Sequence, residues 1–283
     1  MNRLWWAQIQ AVFRLEMRKT FLAKRGLWIY LLALAPVALF LTKSLVDIHF
    51  LKTGRQGISL AQGNYIFAGV FQFFFIRLAI FFGCLGIFMN LFRGEMLDKS
   101  LHFYLLAPLR REVLLVGKYL AGLLAATVIF AASVALQLGA LLWEFDSHTI
   151  ANYLYLNHGL SVIFVYLGVT VLACIGYGSV FLGAGLLFRN PIIPAAFVVI
   201  WEGANPILPS LLKKISVIYY LKSLCPINVP IDPGMPPLLA LLVSNAEPVS
   251  SYAAVFGLFA LSLAVLMAAM VQVRQLQINY TTE

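Results

Sequence analysis

The chain has 283 residues, of which 62% are hydrophobic and 11% are charged, and its mean hydropathy is +0.91. Soluble domains average about 25% charged residues, and disordered chains combine low hydrophobicity with high charge, so both classes are excluded. A formal charge of +9 would suggest nucleic acid binding in a soluble protein. Here the Lys and Arg residues cluster at the ends of apolar blocks, which indicates membrane topology and contact with lipid headgroups instead.

The first predicted element is an amphipathic helix over residues 3–22. At 100° per residue, one stripe of this helix is polar and consists of Arg3, Gln10, Arg14 and Arg18. The opposite stripe is apolar and consists of Trp5, Ile9, Val12 and Phe13. Tryptophan with a basic face is typical of helices that lie in the headgroup plane of a bilayer. Trp5, Arg14 and Arg18 are therefore candidate membrane contacts. A plain juxtamembrane anchor without a role in mechanism is the alternative.

Six apolar blocks follow, each read as a helix that crosses a hydrocarbon core of about 30 Å. They cover residues 26–42, 65–91, 117–143, 158–188, 191–209 and 250–273. The loops on one side carry about twice as many Lys and Arg residues as those on the other, and the positive-inside rule places that side, with both termini, in the cytoplasm. The sequence predicts an all-α polytopic membrane protein with a single transmembrane domain over 1–283 and the lipid bilayer as its surroundings.

Two ionisable residues lie deep inside predicted spans. Arg77 and Glu202 are roughly 18 Å and 16 Å from the ends of their spans at the helical rise, close to the bilayer midplane. An unpaired charge there costs several kcal/mol. We expect the two side chains to face the protein interior and to pair or share one polar cavity. In the alternative, Arg77 bonds to backbone carbonyls and Glu202 is protonated.

The link between the second and third spans, residues 93–116, is predicted to be cytoplasmic. Its apolar centre, residues 101–107, ends at Pro108. A bare loop would not hold these side chains against water, so they need a surface on which to pack. That surface is the membrane, the N-terminal helix or a cytoplasmic partner.

The external segment 210–249 is rich in proline but contains apolar runs, such as residues 237–243. A fully solvated loop does not need such runs. Short helices that lie on the outer surface, or dip into it as re-entrant helices, are predicted here.

Enzymatic chemistry finds no support in the residue pattern. Ser179 lies in a glycine-rich run but lacks a histidine at matching depth, so helix packing is the better interpretation. Gly117 and Lys118 lack the earlier glycine and the following Ser or Thr of a phosphate-binding loop. We expect no catalytic residue, no metal site and no cofactor in this chain. Any driven work takes its energy through a partner.

A family resemblance rests on the 93–118 region. Glu95 follows the second span, a short helix comes next, and then Ala-Pro-Leu-Arg-Arg at 107–111 and Val-Gly-Lys at 116–118. This order resembles the type-2 class of ABC exporter permeases. The Trp-Glu pair at 201–202, followed by Leu-Pro at 208–209, is also similar to many bacterial members. The resemblance covers nearly the whole chain, although its motifs are short.

The resemblance implies a permease in the bacterial inner membrane, paired with a second permease subunit that is identical or homologous. Each half would dock a separate ABC ATPase subunit, which binds ATP and Mg, through the coupling segment 93–116. Carried over to this sequence, the residues at that contact are Glu95, Asp98, Leu101, Leu105, Pro108, Arg110 and Arg111. The expected function is the transmembrane subunit of an ATP-driven exporter, with a translocation path at the dimer interface.

Two other functions stay open beside this expectation. The first is a non-transporting membrane scaffold that passes ATPase-driven motion to an external assembly. The second, an intramembrane enzyme, is disfavoured by the absence of a catalytic constellation in the sequence. The residue pattern leaves the transported substrate undetermined.

Overall fold

The computed structural model describes residues 2–22, 26–52, 58–97, 110–188, 190, 192–229 and 249–275. Every regular element in these ranges is helical. The α-helices are α1 (Asn2–Leu22), α2 (Leu27–Lys52), α3 (Leu60–Val70), α4 (Phe81–Leu97), α5 (Arg111–Leu142), α6 (Ser147–Ala151), α7 (Gly159–Leu187), α8 (Ile192–Ala204), α9 (Ser210–Lys213), α10 (Val217–Leu224) and α11 (Ser251–Arg274). The other helical segments are the π-helices Phe71–Ile80 and Asn152–Leu156 and the 3-10 turn Asn205–Ile207.

Five helical stretches in the described part of the chain are long and apolar enough to cross a membrane. In chain order, spans one to four are Leu27–His49, Leu60–Phe92, Arg111–Leu142 and Gly159–Leu187. The last span is Ser251–Arg274. The all-α, multi-pass class expected from the sequence is therefore confirmed. The predicted span 191–209 is instead a shorter apolar helix, α8, which has 13 residues. A helix of that length rises only about 20 Å, less than the hydrocarbon thickness.

Span two lies at the centre of the bundle. Its start is fixed by a capping box, in which the Gln62 backbone nitrogen donates to Ser59 Oγ and the Ser59 nitrogen donates to the Gln62 side chain. α3, the π-helix Phe71–Ile80 and α4 then continue without a break. Extended π-helical stretches are rare, and they often mark functional positions because the extra residue per turn re-aims the side chains.

Aromatic side chains of span two fill the space against its neighbours. Phe71 and Phe75 are fully buried. The Phe71 ring meets Tyr166 of span four edge-on at 4.8 Å between centroids, and the Phe75 ring meets Phe130 of span three at 6.0 Å. These edge-to-face contacts give the core a fixed geometry.

The chain reverses direction after α8. The 3-10 turn contains Asn205 and Pro206, a pairing that ends helices. α9 follows, and α10 then packs between span four and the last span. The side chains of its first residue, Val217, and of Leu258 on the last span both lie against Gly176 of span four. We call residues 192–227, from α8 to just past the end of α10, the outer hairpin, after the external side on which the sequence predicts its loop.

Candidate functional site

The outer hairpin is closed by one buried carboxylate. Glu202 Oε1 accepts a 2.9 Å hydrogen bond from the Val217 backbone nitrogen. Glu202 Oε2 accepts 2.9 Å bonds from the Ile218 nitrogen and from Ser216 Oγ. Glu202 is 7% exposed and Ser216 is fully buried. The last residues of α8 are thereby joined to the first turn of α10.

This arrangement satisfies the start of α10. The first backbone N–H groups of a helix have no intrahelical acceptor, and the positive end of the helix dipole favours an anion there. Ser216 precedes the helix but does not cap it with its own side chain. Glu202 supplies the missing acceptors from 14 to 16 residues earlier in the chain. The carboxylate therefore acts as a long-range cap.

Arg77 reaches the same region from span two. It lies within the π-helix Phe71–Ile80 and interacts electrostatically with Glu202 and with Tyr177 of span four. Tyr177 also lies close enough to Glu202 for the two side chains to interact electrostatically. We call Arg77, Tyr177, Glu202 and Ser216 the hairpin cluster. Its hydrogen bond and electrostatic interactions link span two, span four and the outer hairpin.

A second contact joins span two to the outer hairpin. Gln72 Nε2 donates a 2.7 Å hydrogen bond to the Ile227 carbonyl, just after α10. Gln72 and Arg77 both lie on the π-helix. Span two therefore contacts the outer hairpin near both ends of α10.

The opposite end of the bundle carries a buried lysine. Lys118 of span three is fully buried, and its Nζ donates at 2.6 Å to Glu16 Oε1 of α1 and at 2.8 Å to the Leu91 carbonyl of span two. The ammonium also lies 5.4 Å from the centroid of the Phe92 ring. We call Glu16, Leu91 and Lys118 the clasp. It joins three helices, two of which lead into and out of residues 98–109.

α1 packs closely on span three beside the clasp. A Cβ placed on Gly117 would lie 2.9 Å from Val12 Cγ1 and 3.4 Å from the Ile9 carbonyl oxygen, so only glycine fits there without displacement. The Arg110 guanidinium lies 4.8 Å from the centroid of the Trp5 ring. Part of the apolar stripe assigned to the bilayer from the sequence thus packs on protein.

The last span ends at the same place. Arg274 Nε forms a 2.7 Å ion pair with Glu112 Oε1, and Arg111 Nη1 donates to the Arg274 carbonyl at 2.8 Å. Both ion-pair side chains are solvent-accessible, so the pair contributes little to stability. It shows that the last span and the start of span three meet at one end of the bundle.

Most of the remaining predicted coupling residues lie outside the part of the chain that the structure describes. Asp98, Leu101, Leu105 and Pro108 lie outside the described residues, and Glu95 belongs to α4 but its side chain is not described. On α1, Arg14 is exposed, and the side chain of Arg18 is likewise not described.

Sequence reasoning missed Glu16 and the burial of Lys118. A signal for Glu16 exists: it lies four residues after Val12 and seven after Ile9, so it falls on the apolar stripe of α1 at helical spacing. A carboxylate on that stripe needs a buried partner. Lys118 carries no such signal, because a basic residue at the end of an apolar block is ordinarily a solvated topology marker.

Among the described residues, no group of three or more His, Cys, Asp or Glu side chains could hold a metal ion. The two polar centres, the hairpin cluster and the clasp, are suited to holding helices in register. No protein-family model matches the chain, and no curated protein matches its sequence.

Proposed function

We propose that the chain is the transmembrane subunit of an ATP-driven ABC exporter of the bacterial inner membrane. It works beside a second permease subunit, and a separate ATPase docks on residues 93–116. The chain itself binds no nucleotide. The partner ATPase binds ATP and Mg and supplies the free energy, and the chain converts the resulting displacement into movement of its spans.

The observation that carries the proposal is the bond from Lys118 Nζ to the Leu91 carbonyl. Leu91 lies on α4, two residues before the coupling segment begins, and Lys118 lies on span three, two residues after the segment ends. With the two membrane ends of the segment tied together and buried, a displacement of the segment moves spans two and three as one body. A flexible attachment would dissipate that displacement in the loop.

The route from the segment to the outer hairpin runs along span two. The stretch from Leu60 to Leu97 is helical throughout, and a continuous helix transmits translation and rotation along its length. Its π-helix carries Gln72, which is hydrogen-bonded to the outer hairpin, and Arg77, which interacts electrostatically with Glu202. Movement of span two therefore alters the contacts of the hairpin cluster. Release of the outer hairpin would open a path at the interface between the two permease halves.

The test is co-expression with a candidate ABC ATPase subunit, followed by purification through a tag on the chain and measurement of ATP hydrolysis in lipid nanodiscs. Leu105→Asp and Arg110→Glu are each expected to abolish co-purification of the ATPase while leaving the chain folded. Lys214→Glu, the same charge reversal at the exposed turn of the outer hairpin, is the matched control and keeps the ATPase bound.

Trp5→Leu separates two roles of Arg110. Because the guanidinium stacks on Trp5, Arg110→Glu disturbs α1 as well as the predicted docking contact. Trp5→Leu removes the stacking partner alone and is expected to retain the ATPase. Equal loss of the ATPase from both variants would show that Arg110 acts through α1. Unchanged co-purification in Leu105→Asp and Arg110→Glu would remove the docking assignment.

A further inference from the structure

Lys118 has a second bond that its role in joining spans two and three does not require. Its Nζ lies 2.6 Å from Glu16 Oε1, and the Glu16 side chain is 4% exposed. Glu16 is on α1, 102 residues away in sequence. This contact attaches α1, which is not one of the five spans, to span three just after the coupling segment ends.

An apolar contact would have been sufficient to hold α1 on the bundle. Replacement of a buried ion pair by packed apolar side chains is often neutral or stabilising, so such a pair is a weak source of stability. A charge-assisted hydrogen bond differs from apolar packing because it is short and directional. It fixes the rotation of α1 about its axis and its position along span three.

The close approach at Gly117 strengthens this constraint. Val12, one helical turn before Glu16, lies directly over Gly117, the residue that precedes Lys118. The apolar contact and the ion pair therefore engage consecutive residues of span three. The apolar contact and the ion pair together oppose translation of α1 along span three and rotation of α1 about its own axis.

We propose that Glu16 is a positioning residue that makes α1 part of the moving unit, so that displacement of the coupling segment by the ATPase moves α1 together with spans two and three. The proposal rests on the proposed function. It assigns to α1 the role of a lever at the membrane surface, in place of the passive anchor that its amphipathic pattern also allows.

The test uses nitroxide labels at Gln10→Cys on α1 and Leu120→Cys on span three, both exposed positions, in a background with the three native cysteines replaced by alanine. In the complex with its ATPase, the distance between the labels is measured without nucleotide and with ATP and vanadate. The wild-type side chain at 16 is expected to give one narrow distribution, unchanged by nucleotide. Glu16→Gln, which keeps the shape but loses the charge, is expected to broaden it about twofold and to make it nucleotide-dependent.

The matched control is Glu144→Gln, which neutralises the partner of Lys43 at the opposite end of span three. It is expected to leave the label distribution unchanged. In parallel, hydrolysis by the Glu16→Gln complex is expected to fall several-fold while the amount of bound ATPase stays the same. A merely structural role would lower the melting temperature without changing the hydrolysis rate of intact complexes.

Each outcome decides the proposal. A narrow, nucleotide-independent distribution in Glu16→Gln, or an unchanged hydrolysis rate, overturns it. If the wild-type chain binds no ATPase, the proposed function fails and the lever role fails with it, while the labels in the isolated chain still report whether Glu16 holds α1. If Glu16→Gln does not accumulate in membranes, Glu16→Leu/Lys118→Met, which buries no charge, takes its place in the label measurement.

Discussion

Glu202 and Val217 are 15 residues apart, yet the carboxylate of the first caps the helix that begins at the second. Together with the bonds from Ser216 and Ile218, it joins the end of α8 to the start of α10. Most bundle helices are held by extended apolar packing, but this short helix depends on one side chain for the acceptors of its first turn. A change at Glu202 therefore acts on the position of α10 before it acts on any other part of the bundle.

Replacement of Glu202 by alanine is expected to release α10. Three buried donors lose their acceptor, and each unsatisfied group costs about 1–3 kcal/mol, so we expect a loss of about 3 kcal/mol or more. Glu202→Gln keeps one acceptor oxygen and is expected to lose about half as much. Cys225, at the end of α10, provides a native reporter because Cys84 and Cys174 are fully buried.

The measurement is the rate at which a membrane-permeant maleimide labels Cys225, together with the melting temperature in detergent. Labelling is expected to be fastest in Glu202→Ala and slowest in the wild type. Ser216→Ala removes one donor together with its bond and serves as the control, with a loss of about 1 kcal/mol. Equal labelling rates in the wild type and Glu202→Ala would mean that the carboxylate does not hold the hairpin.

A double-mutant cycle that neutralises Arg77 and Glu202 is expected to reveal their interaction in the melting temperatures. Exchanging the two charges is not expected to restore stability. Arginine at position 202 has no lone pair for the backbone nitrogens of Val217 and Ile218, and it opposes the helix dipole. The swapped protein is therefore expected to be no more stable than the worse single variant. Arg77→Met/Glu202→Gln is expected to lose less than the sum of its single variants, with a coupling of about 0.5–3 kcal/mol.

Melting temperatures of the four proteins in that cycle provide the measurement. Glu112→Gln combined with Glu202→Gln is the comparison pair, because Glu112 pairs with Arg274 at the opposite end of the bundle. Effects at these two sites are expected to add. Additive losses in the Arg77 cycle would remove the electrostatic link between span two and the outer hairpin.

The contrast between Arg77 and Glu202 explains what sequence could and could not provide. Hydropathy places both charges deep in the bundle, since their depth follows from counting residues along a helix. The cap is invisible to that count, because it depends on the reversal after Ala204. The Asn-Pro pair in the 3-10 turn signals a break in the helix, but not which carboxylate meets the next helix. For the same reason the element predicted over 191–209 is longer than the observed helix α8, which ends at Ala204.

Gly117→Ala is expected to displace α1, whereas Gly139→Ala on the same helix is harmless. A Cβ at 117 would lie 2.9 Å from Val12 and 3.4 Å from the Ile9 carbonyl, while a Cβ at 139 meets nothing within 4 Å. Alanine gains up to about 1 kcal/mol of helix propensity at either position. At 117 this gain is offset by overpacking of about 1–3 kcal/mol.

The two glycine variants are compared by melting temperature and by tryptic cleavage after Arg14, which is exposed on α1. Gly117→Ala is expected to melt lower and to be cut faster, because a displaced helix unfolds locally more often. Gly139→Ala is expected to melt at the same temperature or slightly higher. Identical cleavage of the two variants would show that α1 does not need the close approach.

The ion pair between Lys43 and Glu144, at the other end of span three, leads to a prediction of how stability depends on pH. Lys43 Nζ contacts both oxygens of Glu144, at 2.8 and 3.1 Å, and also Asp47 at 2.8 Å. Burial of the carboxyl raises the pKa of Glu144 above its ordinary value of 4.5; Lys43 opposes the rise and Asp47 adds to it. The folded protein thus binds this proton more tightly than the unfolded chain does.

The sign of the pH dependence follows from that direction. A raised pKa in the folded state contributes stability that is fully present below the unfolded pKa and is lost as the pH rises through the folded one. The melting temperature of the wild type, relative to Glu144→Gln, is therefore expected to fall as the pH rises through the range above the ordinary pKa of 4.5. Scans of both proteins across this range in one detergent provide the comparison. A relative gain for the wild type with rising pH would instead mean that attraction to Lys43 outweighs burial, and that the pKa is lowered.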